Sequence, residues 1–337
     1  MTDGRRALRW AIGMSPVAVF FLSLYFGSWH IPPLDVFKTL FSPLLPSLKN
    51  GLPDAQRYLD AIFGVRLPRL VLGFTAGAAL AVSGASLQAL FKNPLVNEYI
   101  LGISSGAAFG AALSLVFLGE AVPPQIAAFV FAVVAVLLVL GFAKNSDSPV
   151  VTLLLTGVIV SAFFSALLSL TEFFASPYSL LGLFYWLMGN LSLPGWRQLL
   201  ISCPLMVAGG FGLVLMRWRM NVLSMGDDEA RALGVNIRRE KLLVVGLATL
   251  ITASATAVAG IIGWVGLIVP HIIRMTTGAD NRRVIPLSAA LGASFLMLAD
   301  DLARSLATFE VPVGIFTSLI GIPFFILLLR KSKRVWS

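Results

Sequence analysis

The sequence predicts an all-α, polytopic membrane protein with about ten transmembrane helices, and three observations carry that prediction. Hydrophobic residues make up 58% of the 337 positions and charged residues 12%, with a mean hydropathy of +0.89, whereas a soluble domain is roughly 25% charged. Apolar runs recur at about 17 to 25 residues, the length of helix that crosses about 30 Å of hydrocarbon. The net charge of +9 comes from cations gathered at the ends of those runs and in short loops. That placement is an orientation signal in a bilayer and not a nucleic-acid surface.

In chain order the runs fall near residues 11–29, 68–91, 98–118, 124–143, 149–171, 196–216, 241–260, 262–278, 286–305 and 312–330. Three arginines precede the first, which is long enough to span and has no small-residue cleavage site after it, so it is expected to be a retained helix. Residues 244–275 are nearly continuous in hydrophobicity, and only Gly260 and Gly263 mark a turn between the seventh and eighth runs. Placing the N-terminus inside puts 18 of the 25 Lys and Arg residues on the inner face, the bias that sets orientation. Both termini are therefore expected to be cytoplasmic. The outer face then receives residues 31–65, whose LDVFKTLF suits an amphipathic interfacial helix, and residues 176–195, where a short surface helix is expected near 180–188.

The longest charged interruption is residues 217–241, RWRMNVLSMGDDEARALGVNIRREK. Ser224 followed three residues later by Asp227 fits a capping box. Asp227, Asp228 and Glu229 suit the positive end of a helix, and Gly234 suits a left-handed stop. A surface helix of about two turns is expected there. It would serve either as a rigid knob for a soluble partner or as a solvated connection between spans.

A shift of 176 positions superposes Ala79 on Ala255, Gly84 on Gly260, Pro94 on Pro270 and Gly102 on Gly278, which suggests an inverted internal repeat. The units would be residues 66–171 and 241–330 of one transmembrane domain, an arrangement recurrent in transporters. Small residues fill the first copy, from Gly73 through Ala85, as close helix packing in lipid requires.

Chemistry of other kinds is missing from the sequence. There is no G-x-x-x-x-G-K-[ST] phosphate loop. His30 and His271 are isolated, no metal-ligand spacing or carboxylate pair appears, and Cys203 stands alone in an apolar run. No cofactor or metal is expected, and His271 is expected to satisfy backbone groups freed by Pro270. Glu98, Glu172, Asp300, Asp301 and Arg304 lie near the ends of the runs, so no ionisable group is expected deep in a span. That pattern favours a pathway driven by a separate motor over an ion-coupled transporter. Arg66, Arg69 and Arg304 are expected on one outer face, free for bidentate contact with carboxylates of an incoming protein or for lipid phosphates.

Four stretches carry a family resemblance: residues 66–110, opening RLPR and containing NPL; MGDDEARALGVN at 225–236; residues 258–304, containing GLIVPHIIR; and residues 310–330, opening EVPVG. The chain resembles the permease subunits of bacterial ABC importers for ferric siderophores, haem and vitamin B12. The resemblance implies a ten-helix subunit, similar to the vitamin B12 importer permease, in a bacterial or archaeal cytoplasmic membrane. The implied partners are a second permease subunit, identical or paralogous, two cytoplasmic ATPase subunits and an extracytoplasmic substrate-binding protein, with no nucleic acid.

The resemblance also implies site roles. Binding-protein docking falls on Arg66, Arg69 and Arg304. ATPase coupling falls on Asp227, Asp228, Glu229, Ala230, Arg231, Leu233 and Gly234. A cytoplasmic gate falls on Asn93, Pro94 and Leu95 with Ser146, Asp147 and Ser148, while Met188, Gly189 and Asn190 differ from the family's Gly-Ser or Gly-Gly pair. The expected cargo is an iron chelate, siderophore or haem. Cobalamin, molybdate or tungstate transport by the same scaffold, or an ion-coupled secondary transporter, are the alternatives.

Overall fold

A computed structural model describes residues 2–27, 29, 31–143, 149–192, 195–306 and 310–332. Among them all regular structure is helical. Helix α1 spans Thr2–Ser23 and α2 spans Pro33–Phe41. Helix α3, Ala55–Leu59, runs through a π-helical stretch, Asp60–Arg66, into α4, Leu67–Phe91. There follow α5 (Ile103–Leu113), α6 (Pro124–Ala143), α7 (Pro149–Phe173), α8 (Pro177–Leu187), α9 (Trp196–Leu215), α10 (Arg217–Met225) and α11 (Asp227–Ala232). The chain continues with α12 (Ile237–Ala259), α13 (Val265–Thr277), α14 (Asn281–Ser305) and α15 (Val313–Ser332).

Every expected apolar run is helical, and α2 and α8 form where the surface helices are expected. Among the described residues, seven helices are long and apolar enough to cross a membrane, and Val265–Thr277 and Val313–Leu327 are shorter apolar helices. Local chemistry sets several boundaries. Ser176 Oγ accepts from Ser179 N ahead of Pro177, Asn236 Oδ1 accepts from Arg239 N, and Asp280 Oδ1 accepts from Arg282 N. Each satisfies a backbone N–H that a helix start leaves unpaired. The turn between α12 and α13 falls at Gly260, as expected. There φ is +70° and an added Cβ would lie 2.1 Å from Trp186 O, so only glycine fits.

Helices α4 and α12 form the buried centre, and α7 and α9 show broad apolar faces to the surroundings. A hydrogen bond of 2.8 Å from Thr252 Oγ1 to Ser83 Oγ joins the two central helices. Helix α14 packs along α4 and α12 packs against α6, while α13 lies beside α4 and α5 beside α12. The 176-residue shift carries most of α4 onto α12 and most of α5 onto the start of α14. Gly102 lies just before α5 and Gly278 shortly before α14, whereas Gly84 is inside α4 and Gly260 ends α12.

The third run also begins later than expected, at Ile103 and not at residue 98. Residues 92–102 are irregular, bounded by left-handed Lys92 and Gly102, and they fold back against the bundle. Gln88 Nε2 donates to Val96 O at 3.0 Å and Gly266 O at 3.2 Å, and the Tyr99 hydroxyl donates to Ile262 O at 3.2 Å. Irregular backbone among membrane helices requires such protein partners. Glu98 is fully buried in this break, with Gly266 N donating to Oε1 at 3.3 Å. Its Oε2 has no partner among the described residues, so an ionisable group does lie inside the packing, contrary to the sequence expectation. His271 also differs, because its Nδ1 is buried without a partner among the described residues and does not satisfy the proline-freed groups. His30 lies outside the described residues.

Candidate functional site

Two clusters stand at opposite ends of the bundle, and α14 fixes their separation. At its start, Asn221 of α10 donates through Nδ2 to Asp280 Oδ1 at 2.7 Å and accepts from Asn281 N at 2.8 Å. At its end lie Asp300, Asp301 and Arg304. Twenty-five residues at 1.5 Å each span about 37 Å, so the α10–α11 segment and the arginines face opposite sides. The same helix lengths bring the end of α1 and the start of α15 to the arginine end, where Ser23 and Glu310 touch the cluster.

At the α10–α11 end, the knob is anchored and its tip is free. Asp227 accepts from Lys241 Nζ of α12 at 2.7 Å, and Arg219 Nη1 of α10 donates to Glu240 Oε1 of α12 at 2.5 Å. Ala230 is fully buried against Val222, Val235 and Ile237, a small core joining α10, α11 and α12. Asp228 and Arg231 form an exposed i,i+3 pair at 2.7 Å, and Leu233 is 60% exposed. With the exposed Glu229, Ala232 and Gly234, they form the surface a partner could touch. Glu229 turns its carboxylate back over Gly226.

The helix stop forms as expected. Gly234 has φ +76°, Gly234 N donates to Arg231 O at 2.9 Å and Val235 N donates to Ala230 O at 3.1 Å, the paired bonds of a Schellman motif. The start does not. Ser224 lies inside α10 and donates to Asn221 O, and the residue before α11 is Gly226, with no side-chain cap. Helix α10 occupies the residues that the capping box would have needed. The pKa of Asp280 is held below the ordinary carboxylate value, chiefly by the hydrogen bond from Asn221.

The Asn93–Pro94–Leu95 turn, expected to belong to a gate, lies at this same end, after the last residue of α4. Asn93 Oδ1 accepts from Leu95 N at 2.9 Å, and Pro94 and Leu95 are exposed. Ser146, Asp147 and Ser148 lie outside the described residues. Gly189 has φ +73°, and a Cβ there would lie 2.6 Å from Ile261 O, which accounts for glycine in Met188–Gly189–Asn190.

At the other end, the structure brings Arg66, Arg69 and Arg304 together but does not leave them free. Their residues are 4%, 4% and 7% exposed, because each guanidinium is spent on an internal acceptor. Arg66 donates to Leu24 O at 2.7 Å and to Trp29 O. Arg69 grips Asp300 through Nε and Nη2 at 2.8–3.0 Å and donates through Nη1 to Glu310 at 2.8 Å. Arg304 donates to Ser23 O at 3.0 Å and to Asp301, and Ser23 Oγ donates to Asp301 at 2.5 Å. The guanidinium groups point into the protein and away from lipid. Sequence alone marks only some of these acidic partners. Asp300, Asp301 and Arg304 stand at the i,i+3 and i,i+4 spacing that marks helical pairs, whereas no sequence rule links Arg69 to Glu310, 241 residues away.

The profile of the FecCD transport family matches residues 16–331. The chain belongs to the FecCD transport family. Among curated FecCD-like relatives, the uncharacterized ABC transporter permease protein YvrB of Bacillus subtilis is 38% identical, covering 98% of this chain and 95% of that protein. The hemin transport system permease protein HmuU of Yersinia pestis is 38% identical over 98% of both chains. The cobalamin import system permease protein BtuC of Halobacterium salinarum is 43% identical over 85% of this chain and 77% of that protein. A solved chain described as a metal-chelate type ABC transporter in an inward-facing conformation superposes with a TM-score of 0.85 at 33% identity, covering 97% of this chain and 99% of the other. As a FecCD member with at least seven membrane-length helices, this is a multi-pass membrane protein and an ABC transporter permease. Both clusters fall inside the matched region.

Proposed function

We propose that the chain is the membrane-spanning subunit of an ATP-driven importer that carries an iron chelate, siderophore or haem, handed over by a substrate-binding protein. The observation that carries this reading is the separation of the two clusters. An anchored knob with a free acidic–basic tip stands at one end of α14, and a guanidinium cluster stands at the other. The basic residues Arg217, Arg219, Arg231, Arg238, Arg239, Lys241, Arg282 and Arg283 share the knob's end, which supports a cytoplasmic position for it and for both termini. The knob then meets ATPase subunits, the arginine end meets the binding protein, and a second permease copy or paralogue completes the pathway. ATP hydrolysis belongs to the partner. Iron chelates are favoured because the relatives include hemin and iron chelatin permeases and the solved neighbour is of the metal-chelate type.

Radiolabelled uptake by cells lacking the gene and complemented with it tests the cargo. Restoration of ferric siderophore or haem uptake supports the reading, whereas restoration of cobalamin or molybdate uptake alone moves the chain to the other relatives' cargo. Uptake persisting without any ATPase subunit would favour an ion-coupled transporter.

The coupling role makes its own prediction. Asp228→Ala with Arg231→Ala removes only exposed groups, so membrane insertion is expected to be normal. Uptake should fall about tenfold, the consequence of losing roughly 1.4 kcal/mol of contact with the motor. ATPase co-purification and uptake both at wild-type levels would remove the tip from the interface.

A further inference from the structure

The arginine cluster is electrically closed. Three guanidinium groups, Arg66, Arg69 and Arg304, face three carboxylates, Asp300, Asp301 and Glu310. The six are not equivalent. Asp300 and Asp301 have side chains 1% and 7% exposed, whereas Glu310 is 48% exposed. Arg66 gives its bonds to main-chain oxygens, and Arg304 gives its own to Ser23 O and Asp301. Arg69 alone splits its donors, with Nε and Nη2 on buried Asp300 and Nη1 on half-exposed Glu310. A cavity of about 170 Å³, lined by Gly27, Trp29, Arg66, Arg69, Arg304 and Glu310, opens where these groups meet.

From this geometry we propose that Arg69 Nη1 is an exchangeable carboxylate site, with Glu310 as its resident occupant, displaced when an acidic side chain of the docking protein enters the cavity. The inference rests on the docking reading above and adds to it the atom that receives the carboxylate and the group that must leave. The exchange conserves charge and hydrogen bonds, since one carboxylate replaces another on the same N–H donor, and a charge-assisted bond is kept throughout. Glu310 leaves without cost to the core because its carboxylate already reaches solvent. Asp300 stays and holds the guanidinium plane. Burial pushes the pKa of Glu310 up, but the hydrogen bond from Ser192 and the charge of Arg69 outweigh it and hold the pKa below its ordinary value. Glu310 is therefore ionised at neutral pH and competes as an anion. A resident competitor lowers the apparent affinity of the incoming one by the fraction of time the site is open.

Phenylglyoxal, which attacks accessible guanidinium groups, reads the latch directly in the full-length protein purified in detergent, with modified arginines quantified by peptide mass spectrometry. In Glu310→Ala, modification of Arg69 should quicken about tenfold over wild type, as expected if the site is open about a tenth of the time. Arg66 and Arg304 should stay slow, and Glu310→Gln should fall between. Equal Arg69 rates in wild type and Glu310→Ala would overturn the latch.

Affinity of the assembled transporter for its substrate-binding protein separates the two claims. Tighter docking by Glu310→Ala, together with faster modification, supports both. Faster modification with unchanged docking keeps the latch and removes the docking reading. Unchanged modification, with docking that weakens at high salt, keeps docking and removes the latch.

Discussion

Arg69→Ala is expected to destabilise the folded protein by about 3–5 kcal/mol, because it strands a buried anion. Asp300 is 1% exposed, and three hydrogen bonds from Arg69 meet its two oxygens. Its remaining cationic neighbour is Arg304 Nε, 3.8 Å from Oδ2 and beyond hydrogen-bond reach. Removing the guanidinium therefore leaves a carboxylate that must be protonated or drag water into the packing. The pair itself is a poor source of net stability, since desolvating two charges offsets most of their attraction. Arg69→Met with Asp300→Leu should accordingly recover most of the loss. Thermal unfolding in detergent of the two single variants and the double variant measures the coupling. Additive losses would mean that the pair is not a unit. The same experiment bears on any docking assay: charge reversal at Arg69 weakens the fold as well as the surface, so Glu310, half-exposed, is the cleaner position to change.

Gly77→Val is the second large effect. A Cβ built at Gly77 lies 2.3 Å from Gly292 O and 2.8 Å from Leu296 Cβ, and a Cβ at Gly292 lies 2.4 Å from Gly77 O. The two backbones touch, so no rotamer change relieves the clash and α4 must move away from α14. Overpacking in a dense interior costs about 1–3 kcal/mol, occasionally more, and here the upper part of that range is expected because the nearest obstructing atom, Gly292 O, is main chain. The shift would also strain the Arg69–Asp300 pair carried by the same two helices. In lipid, where solvent does not drive helices together, close approach of small residues is a main source of association. Gly246→Val provides the control: it lies on α12 with nothing within 4 Å of an added Cβ, and a comparable loss of stability there would refute the contact explanation.

The helices were legible in the sequence because the bilayer imposes a length and an apolar composition that no other environment demands together. The surface helix at residues 227–232 was legible for a local reason, since Gly234 stops it through backbone geometry that few other residues adopt. Its start was misread because Ser224 has two local uses, and the continuation of α10 decided between them. Glu98 was misplaced because a hydrophobic run does not reveal where helix gives way to irregular backbone. That break depends on Gln88, Tyr99 and Gly266 being close enough to satisfy it. The arginines share one end, as expected, but not the freedom expected of them, because their acceptors come from α1, α14 and the residues before α15.

By itself the sequence determined that this chain crosses a membrane many times, that its cations favour one side, and that a charged knob interrupts it, since each depends on local composition and hydration. Only the tertiary structure decided which charges are spent and which are available. The energy of an ion depends on what surrounds it, and residues 231 and 241 positions away from Arg69 supply those surroundings.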